Sequence, residues 1–326
     1  MRVKDFDNYN APPNRKPWAI LLLLIIIGGL VYFFVFRKDK AGDEGNPDAD
    51  KPAVQVNGDK KPANAKPLRH KDKVAEKPPV APTGNVAMMM DEAAQLVKSE
   101  RLVEARDKYL EALDSAADPS VRDQIEKKLA KVNITLVLSP RPMPEKQKYL
   151  VKRGDSLDRI ARRYGTTVQL LQKSNMLRNP NRINIGDSLL VFTGKFSLFS
   201  SKTRHDLVVK MNGKFFKRYK VGTGRFGKTP EGTFVIREKI KEPPWWRPDG
   251  TVVPYGNKKE NILGTRWFSL KATGDTEDVR GYGIHGTWSP ESVGTDSSAG
   301  CLRMKNNEVE ELFIYIPVGT PVTIVK

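Results

Sequence analysis

The first hydrophobic signal along the chain is an unbroken block. WAILLLLIIIGGLVYFFVF, Trp18 to Phe36, has no charge between Arg15-Lys16 and Arg37-Lys38. At 1.5 Å per residue a helix of that length covers roughly 28 Å, one hydrocarbon core, so residues 18–36 predict a transmembrane helix after a tail over 1–17. A cleaved signal peptide is the alternative; the following FRKDKAGDEG has no small-x-small site, which favours an uncleaved anchor. Apolar residues then almost vanish. Residues 37–85 alternate Lys, Asp, Ala and Pro, a composition that cannot bury a core and predicts a disordered linker.

Periodicity returns over 86–133. Leu102, Ala105, Tyr109, Ala112 and Leu113 recur at three- and four-residue steps, and Val121, Ile125, Leu129 and Val132 repeat them after the helix-start signal Asp118-Pro119. Two or three short amphipathic helices are expected. Residues 146–193 read as strand, two helices and strand: YLVK, a helix capped by Asp155 or Ser156 and closed by Gly165, a second from a threonine cap in TTVQLLQKSN, and INIGDSLLVF. From 195 onward the period falls to two. DLVVKM and KFFKRYKV flank Asn212-Gly213, a type I′ hairpin signal; TFVI, RWFSL and TPVTIV add strands, and NNEVEELFIYI one helix. The chain is thus multidomain, and residues 195–326 form a mostly β domain.

Two of these patterns resemble known modules. RLVEARDKYLEALDSA resembles a single tetratricopeptide-type unit, which needs neighbours to bury its faces. It is either a packing module or a binder of a protein partner. Gly154-Asp155-Ser156-Leu157, Ile160-Ala161, Tyr164, Asn175 and Ile185-Gly186-Asp187-Ser188-Leu189 resemble the LysM domain. That resemblance implies a βααβ fold and binding to N-acetylglucosamine-containing glycan.

Charge narrows the partners only in sign. With 56 Lys and Arg against 38 Asp and Glu the net charge is +18, which suits nucleic acid, an acidic membrane surface or an anionic wall polymer. The single cysteine, Cys301, excludes an intrachain disulfide and leaves a buried small hydrophobe or a nucleophile. Cys301 lies in SSAGCLR, and of the three histidines His70 falls in the linker and His205 at the start of an exposed-looking strand. His285 therefore remains as the base by elimination. Gly300 would let a substrate carbonyl reach backbone N–H groups, and a backbone carbonyl beside His285 could fix its second nitrogen. A purely structural Cys and His remain the alternative at this point.

HGT, VG and S-x-GC-L-R in this order, after TP-x-G-x-F, resemble the YkuD-type L,D-transpeptidase catalytic domain. The resemblance implies that Cys301 is the nucleophile, His285 the base, the Gly286 carbonyl the group orienting it, and the N–H groups of Gly300 and Cys301 the oxyanion donors. It also points to Arg303, Ser298, Trp246, Asn261 and Gly264 as substrate-binding residues. Ala299 stands where many relatives have histidine, and Asn261-Ile262-Leu263-Gly264 lacks a proline found in relatives. Trp245-Trp246 could alternatively cap the β core.

Such a protein would be a peptidoglycan transpeptidase acting on stem peptides and forming 3→3 cross-links, with no metal and no cofactor. Its substrate lies outside the cytoplasmic membrane, so the chain is expected to be a single-pass inner-membrane protein, N-terminus inside and catalytic part in the periplasm or cell-wall space. Nucleic acid then drops out as a partner. Rival readings are an L,D-carboxypeptidase, an enzyme that attaches a protein to the wall, and a non-catalytic LysM scaffold.

Overall fold

A computed structural model describes residues 81–326. The tail over 1–17, the span over 18–36 and the linker up to residue 80 lie outside the described residues. Among those described, no helix is long and apolar enough to cross a membrane.

Three helices come first: α1 (Gly84–Lys98), α2 (Leu102–Ser115) and α3 (Pro119–Leu138). Asp118 caps α3 by accepting from the N–H groups of Ser120 and Val121, and Pro119 occupies the first turn, where its missing N–H costs nothing. Two boundaries differ from those expected. α1 begins inside the stretch read as linker, and α3 runs past residue 133. The extension holds Ile134, Thr135 and Val137, poor helix formers, and burial keeps them helical: Leu136 and Val137 are 1% and 0% exposed.

β1 (Lys146–Leu150), α4 (Leu157–Tyr164), α5 (Val168–Ser174) and β2 (Ser188–Phe192) follow, with β1 and β2 antiparallel. Ser156 Oγ caps α4, Gly165 closes it at φ +65°, and Thr167 Oγ1 caps α5. This βααβ module has a small core of its own around Tyr149, Leu157, Ile160, Leu171, Leu189 and Val191. Leu170 and Phe192 face the other way and join the main core. Phe192 stacks on Phe196 with ring centroids 5.1 Å apart, and the Thr167 hydroxyl donates to the Ile314 carbonyl. The module is therefore fused to the body by buried side chains as well as by a short link.

The rest is built from β3 (Phe196–Ser201), β4 (Asp206–Met211), β5 (Lys214–Lys220), β6 (Thr223–Gly224), β7 (Gly232–Lys241), β8 (Trp245–Trp246), β9 (Val252–Val253), β10 (Arg266–Ala272), β11 (Gly283–His285), β12 (Asp296–Ser298), β13 (Leu302–Arg303), α6 (Asn306–Tyr315) and β14 (Pro321–Val325). Eight of these strands form one sheet in the order β13-β11-β10-β7-β14-β3-β4-β5. Asn212 and Gly213 both take positive φ, 50° and 80°, as the type I′ turn between β4 and β5 requires. α3 packs along β5 and covers that edge: Asn133 Nδ2 donates to the Phe216 carbonyl at 2.9 Å, and Arg218 pairs with Glu126 at 2.7 and 2.9 Å. Ile125, Leu129 and Leu136 share the core with Phe216 and Tyr219. The helical segment is part of the sheet domain's packing.

Candidate active site

The site lies at the other edge of the sheet. β11 is antiparallel to β10, Trp267 opposite His285, and parallel to β13, His285 opposite Arg303. Arg303 also exchanges hydrogen bonds with Gly222, at 2.8 and 2.9 Å. Cys301 directly precedes β13, so strand pairing alone brings the thiol and the imidazole to neighbouring strands.

His285 is 2% exposed. Its Nδ1 donates to the Gly286 carbonyl at 2.6 Å, which assigns the proton of the neutral ring to Nδ1 and the lone pair to Nε2. The Trp267 ring lies 5.7 Å from the imidazole, centroid to centroid. Burial pushes the imidazole pKa down to about 4; the Gly286 carbonyl opposes that shift, and the Arg303 charge adds to it. Cys301 is half-buried, with its Sγ 3.7 Å from the Gly281 carbonyl. Burial pushes its pKa up to about 11, against the Gly283 N–H and the Arg303 charge. Burial thus favours the neutral form of both the thiol and the imidazole.

Glycine makes the close approaches. Gly300, at φ +139°, leaves no room for a Cβ beside the Tyr282 ring, and Gly224 packs its backbone on that of Gly300. A cavity of about 510 Å³ adjoins the Gly281 carbonyl, lined by Trp267, Ser269, Val279 and Tyr282 among others. A cavity of about 1210 Å³ between α3 and β5 touches neither Cys301 nor His285. A half-buried cysteine at the start of the strand paired with a base of fixed tautomer, with its turn backed by glycines, can perform nucleophilic acyl transfer.

Comparison with known proteins agrees with that chemistry. The sequence matches the family model of the L,D-transpeptidase catalytic domain, YkuD, over residues 195–324, and that of the LysM domain over 149–192. Among proteins named for this activity, YqjB of Bacillus subtilis is 43% identical over 125 residues, 38% of this chain and 68% of the relative. YkuD of Bacillus licheniformis is 32% identical over 183 residues, 54% of this chain and 97% of the relative. The chain belongs to the YkuD family of L,D-transpeptidases.

Within this YkuD-type domain the expected site residues separate into two groups. Cys301, His285, Gly286, Gly300, Ser298 and Arg303 come together, with Gly264 against Gly286; Asn261 and Trp246 are held elsewhere. Asn261 is 1% exposed and staples a loop: its Nδ2 donates to the carbonyls of Pro243 and Val253 at 2.9 and 3.2 Å, and its Oδ1 accepts from the Leu263 N–H at 2.9 Å. Every polar atom of that side chain is used within the protein. Gly264, at φ +63°, packs against the Gly286 backbone with no space for a side chain. Trp246 is 70% exposed on the β8–β9 ribbon, with no contact to Cys301 or His285 among the described residues.

Two expectations at the nucleophile also change. The Gly300 N–H donates to Ser298 Oγ at 2.9 Å and is not free for an oxyanion, whereas the Cys301 N–H has no partner among the described residues. Ser298, 3% exposed, also donates to the Cys301 carbonyl at 2.8 Å. It pins the turn that carries the thiol. Arg225 was missed by sequence reasoning. It begins a turn next to Gly224, which pairs with Ser298, and its signal was only the unremarked RFG of GTGRFGKTP.

Proposed function

We propose that this chain is a membrane-anchored peptidoglycan L,D-transpeptidase that works through a Cys301 thioester. The observation that carries the reading is the Nδ1–H bond of His285 to Gly286, which leaves Nε2 basic on the strand next to the thiol. As Sγ attacks the carbonyl of the third stem residue, the thiol proton passes to Nε2. The Cys301 N–H holds the developing oxyanion. The bond to the terminal D-alanine then breaks, its amine takes the proton from the imidazolium, and the third residue is left as a thioester. A side-chain amine of a second stem attacks the thioester, loses its proton through His285, and restores the thiol with a 3→3 link. The resting neutral pair favours proton transfer during attack over a preformed thiolate.

The block over 18–36 is the anchor, with the N-terminus inside and residues 37–326 in the periplasm or cell-wall space. The LysM module holds glycan near the site. The helical segment serves as packing, a reading supported by its burial against β5, and no separate protein partner is assigned to it.

Incubating the protein with muropeptides and analysing products by mass spectrometry tests the reaction. Wild type is expected to yield 3→3 dimers and a Cys301 acyl adduct, while Cys301→Ala yields neither with its fold intact. Tripeptide without dimer would make the acceptor water, and an adduct on another residue would end the thioester reading.

A further inference from the structure

The nucleophile turn has a second strand of chain beside it that the proposed reaction does not yet use. Gly222 pairs with Arg303, and Gly224 pairs with Ser298, so residues 222–225 run alongside 298–303 and straddle Cys301. The next residue, Arg225, opens a tight turn held by the Thr229 hydroxyl, which accepts from the Gly224 N–H at 2.7 Å. That turn is strained. Phe226 takes φ +54°, a left-handed conformation that a bulky side chain avoids, and it is 95% exposed, so no buried contact of its own accounts for the strain.

The charges at this place do not balance. Arg225 is exposed and Arg303 half-buried, and neither pairs with a carboxylate among the described residues. Arg303 Nε is buried with no hydrogen-bond partner at all. Burial already holds the Arg303 guanidinium below its ordinary range, and the nearby positive charge of Arg225 adds to that. Two like charges are thus held together beside a reactive thiol, one with an unanswered buried donor. Such a pair is completed by an anion, and guanidinium geometry matches a carboxylate.

We propose that Arg225 and Arg303 form a carboxylate-binding site flanking Cys301, which holds a free carboxylate of the donor stem peptide. The inference rests on the stem-peptide reading above and adds a specificity to it. The α-carboxylate of the terminal residue lies one residue beyond the attacked carbonyl, within reach of a site that straddles the nucleophile. Holding it would align the leaving amine and make a free acid a better donor than its amide. Arg303 touches the carboxylate from within the wall and Arg225 closes on it from the exposed turn.

Binding is measured first, so that turnover is not required. Full-length Cys301→Ala protein is titrated calorimetrically with a disaccharide-tetrapeptide carrying diaminopimelate as its third residue, with the same compound as its C-terminal carboxamide, and with one amidated on the diaminopimelate side-chain carboxylate. Adding Arg225→Gln is expected to weaken the free acid about 10- to 100-fold, the usual worth of a hydrogen bond to a charged group. It should leave the C-terminal amide unchanged, and Arg225→Lys should restore part of the loss. With Cys301 intact, Arg225→Gln should raise KM by a similar factor and leave kcat within about threefold; a merely structural role would lower kcat as well. If the side-chain amide is the insensitive ligand, the same site reads that carboxylate instead. Equal weakening of all three ligands, or of none, would overturn the proposal. Failure of wild type to turn over any stem peptide would sink the transpeptidase reading while the binding comparison still decides this one.

Discussion

The two edges of the eight-stranded sheet are built by opposite means. At the β5 edge the sheet is closed with side-chain volume: Phe216 and Tyr219 are 0% and 2% exposed beneath α3, and Arg218 grips Glu126 with both forks of its guanidinium. At the β13 edge closure depends on missing side chains. Gly224, Gly283 and Gly300 each stand where a Cβ would meet backbone or a ring, and at Gly286 it would meet the Asn306 side-chain oxygen. Buried polar atoms there are left open among the described residues, as with Arg303 Nε and Trp288 Nε1. One edge spends apolar burial on stability; the other gives up packing so that backbone, thiol and imidazole can approach a substrate.

That division can be broken by substitution. His285→Ala should lower the acylation rate by about two to four orders of magnitude, the range of a lost general base, in single-turnover assays corrected for folded protein. Comparable slowing by His205→Ala would reassign the base; His205 instead bonds Asp296 at 3.1 Å. At the opposite edge Phe216→Ala should cost about 3–5 kcal/mol of unfolding free energy by removing a fully buried ring, while the rate per folded molecule stays near wild type. Denaturant titration alongside the kinetic assay reads both. A Phe216 variant that loses rate without losing stability would mean the two edges are coupled.

Local pattern carried most of the elements and the two reactive residues. Asn212-Gly213, Gly165, Asp118-Pro119 and the βααβ order are all decided within a few residues, and Cys301 and His285 are nearly alone of their kinds. What failed to show was long-range. Nothing in Asn261 or Gly264 distinguishes a loop staple from a substrate contact until β10, the ribbon and Gly286 are brought together. Ser298 reads as a polar neighbour of the cysteine, yet its hydroxyl is consumed by Gly300 and Cys301. Arg225 lies 76 residues before Cys301 in sequence, and only the pairing of Gly222 and Gly224 with the nucleophile segment makes it a neighbour. The helical segment ran past its expected end because the face formed by Leu136 and Val137 is specified by the sheet it meets and not by its own period.

The smallest effect expected sharpens the contrast through pH. Folding buries His285 and holds its pKa near 4, against 6.5 for the free side chain. Between those values the unfolded chain binds the proton and the folded one does not, so the stabilising difference is complete above about 6.5 and is lost as pH falls toward 4. The gap corresponds to about 3 kcal/mol. Cys301 mirrors it: with its pKa raised from 9.0 to about 11, stability is complete below 9 and declines as pH rises from 9 to 11. The nucleophile edge therefore favours a window in which both groups are neutral, whereas Phe216 at the other edge has no titrating group to lose. Unfolding free energies of wild type and His285→Ala at pH 7 and pH 4.5 should converge at the lower pH, because only wild type carries the buried imidazole. Parallel losses in the two proteins would place the acid sensitivity elsewhere and remove the neutral pair from the account of the site.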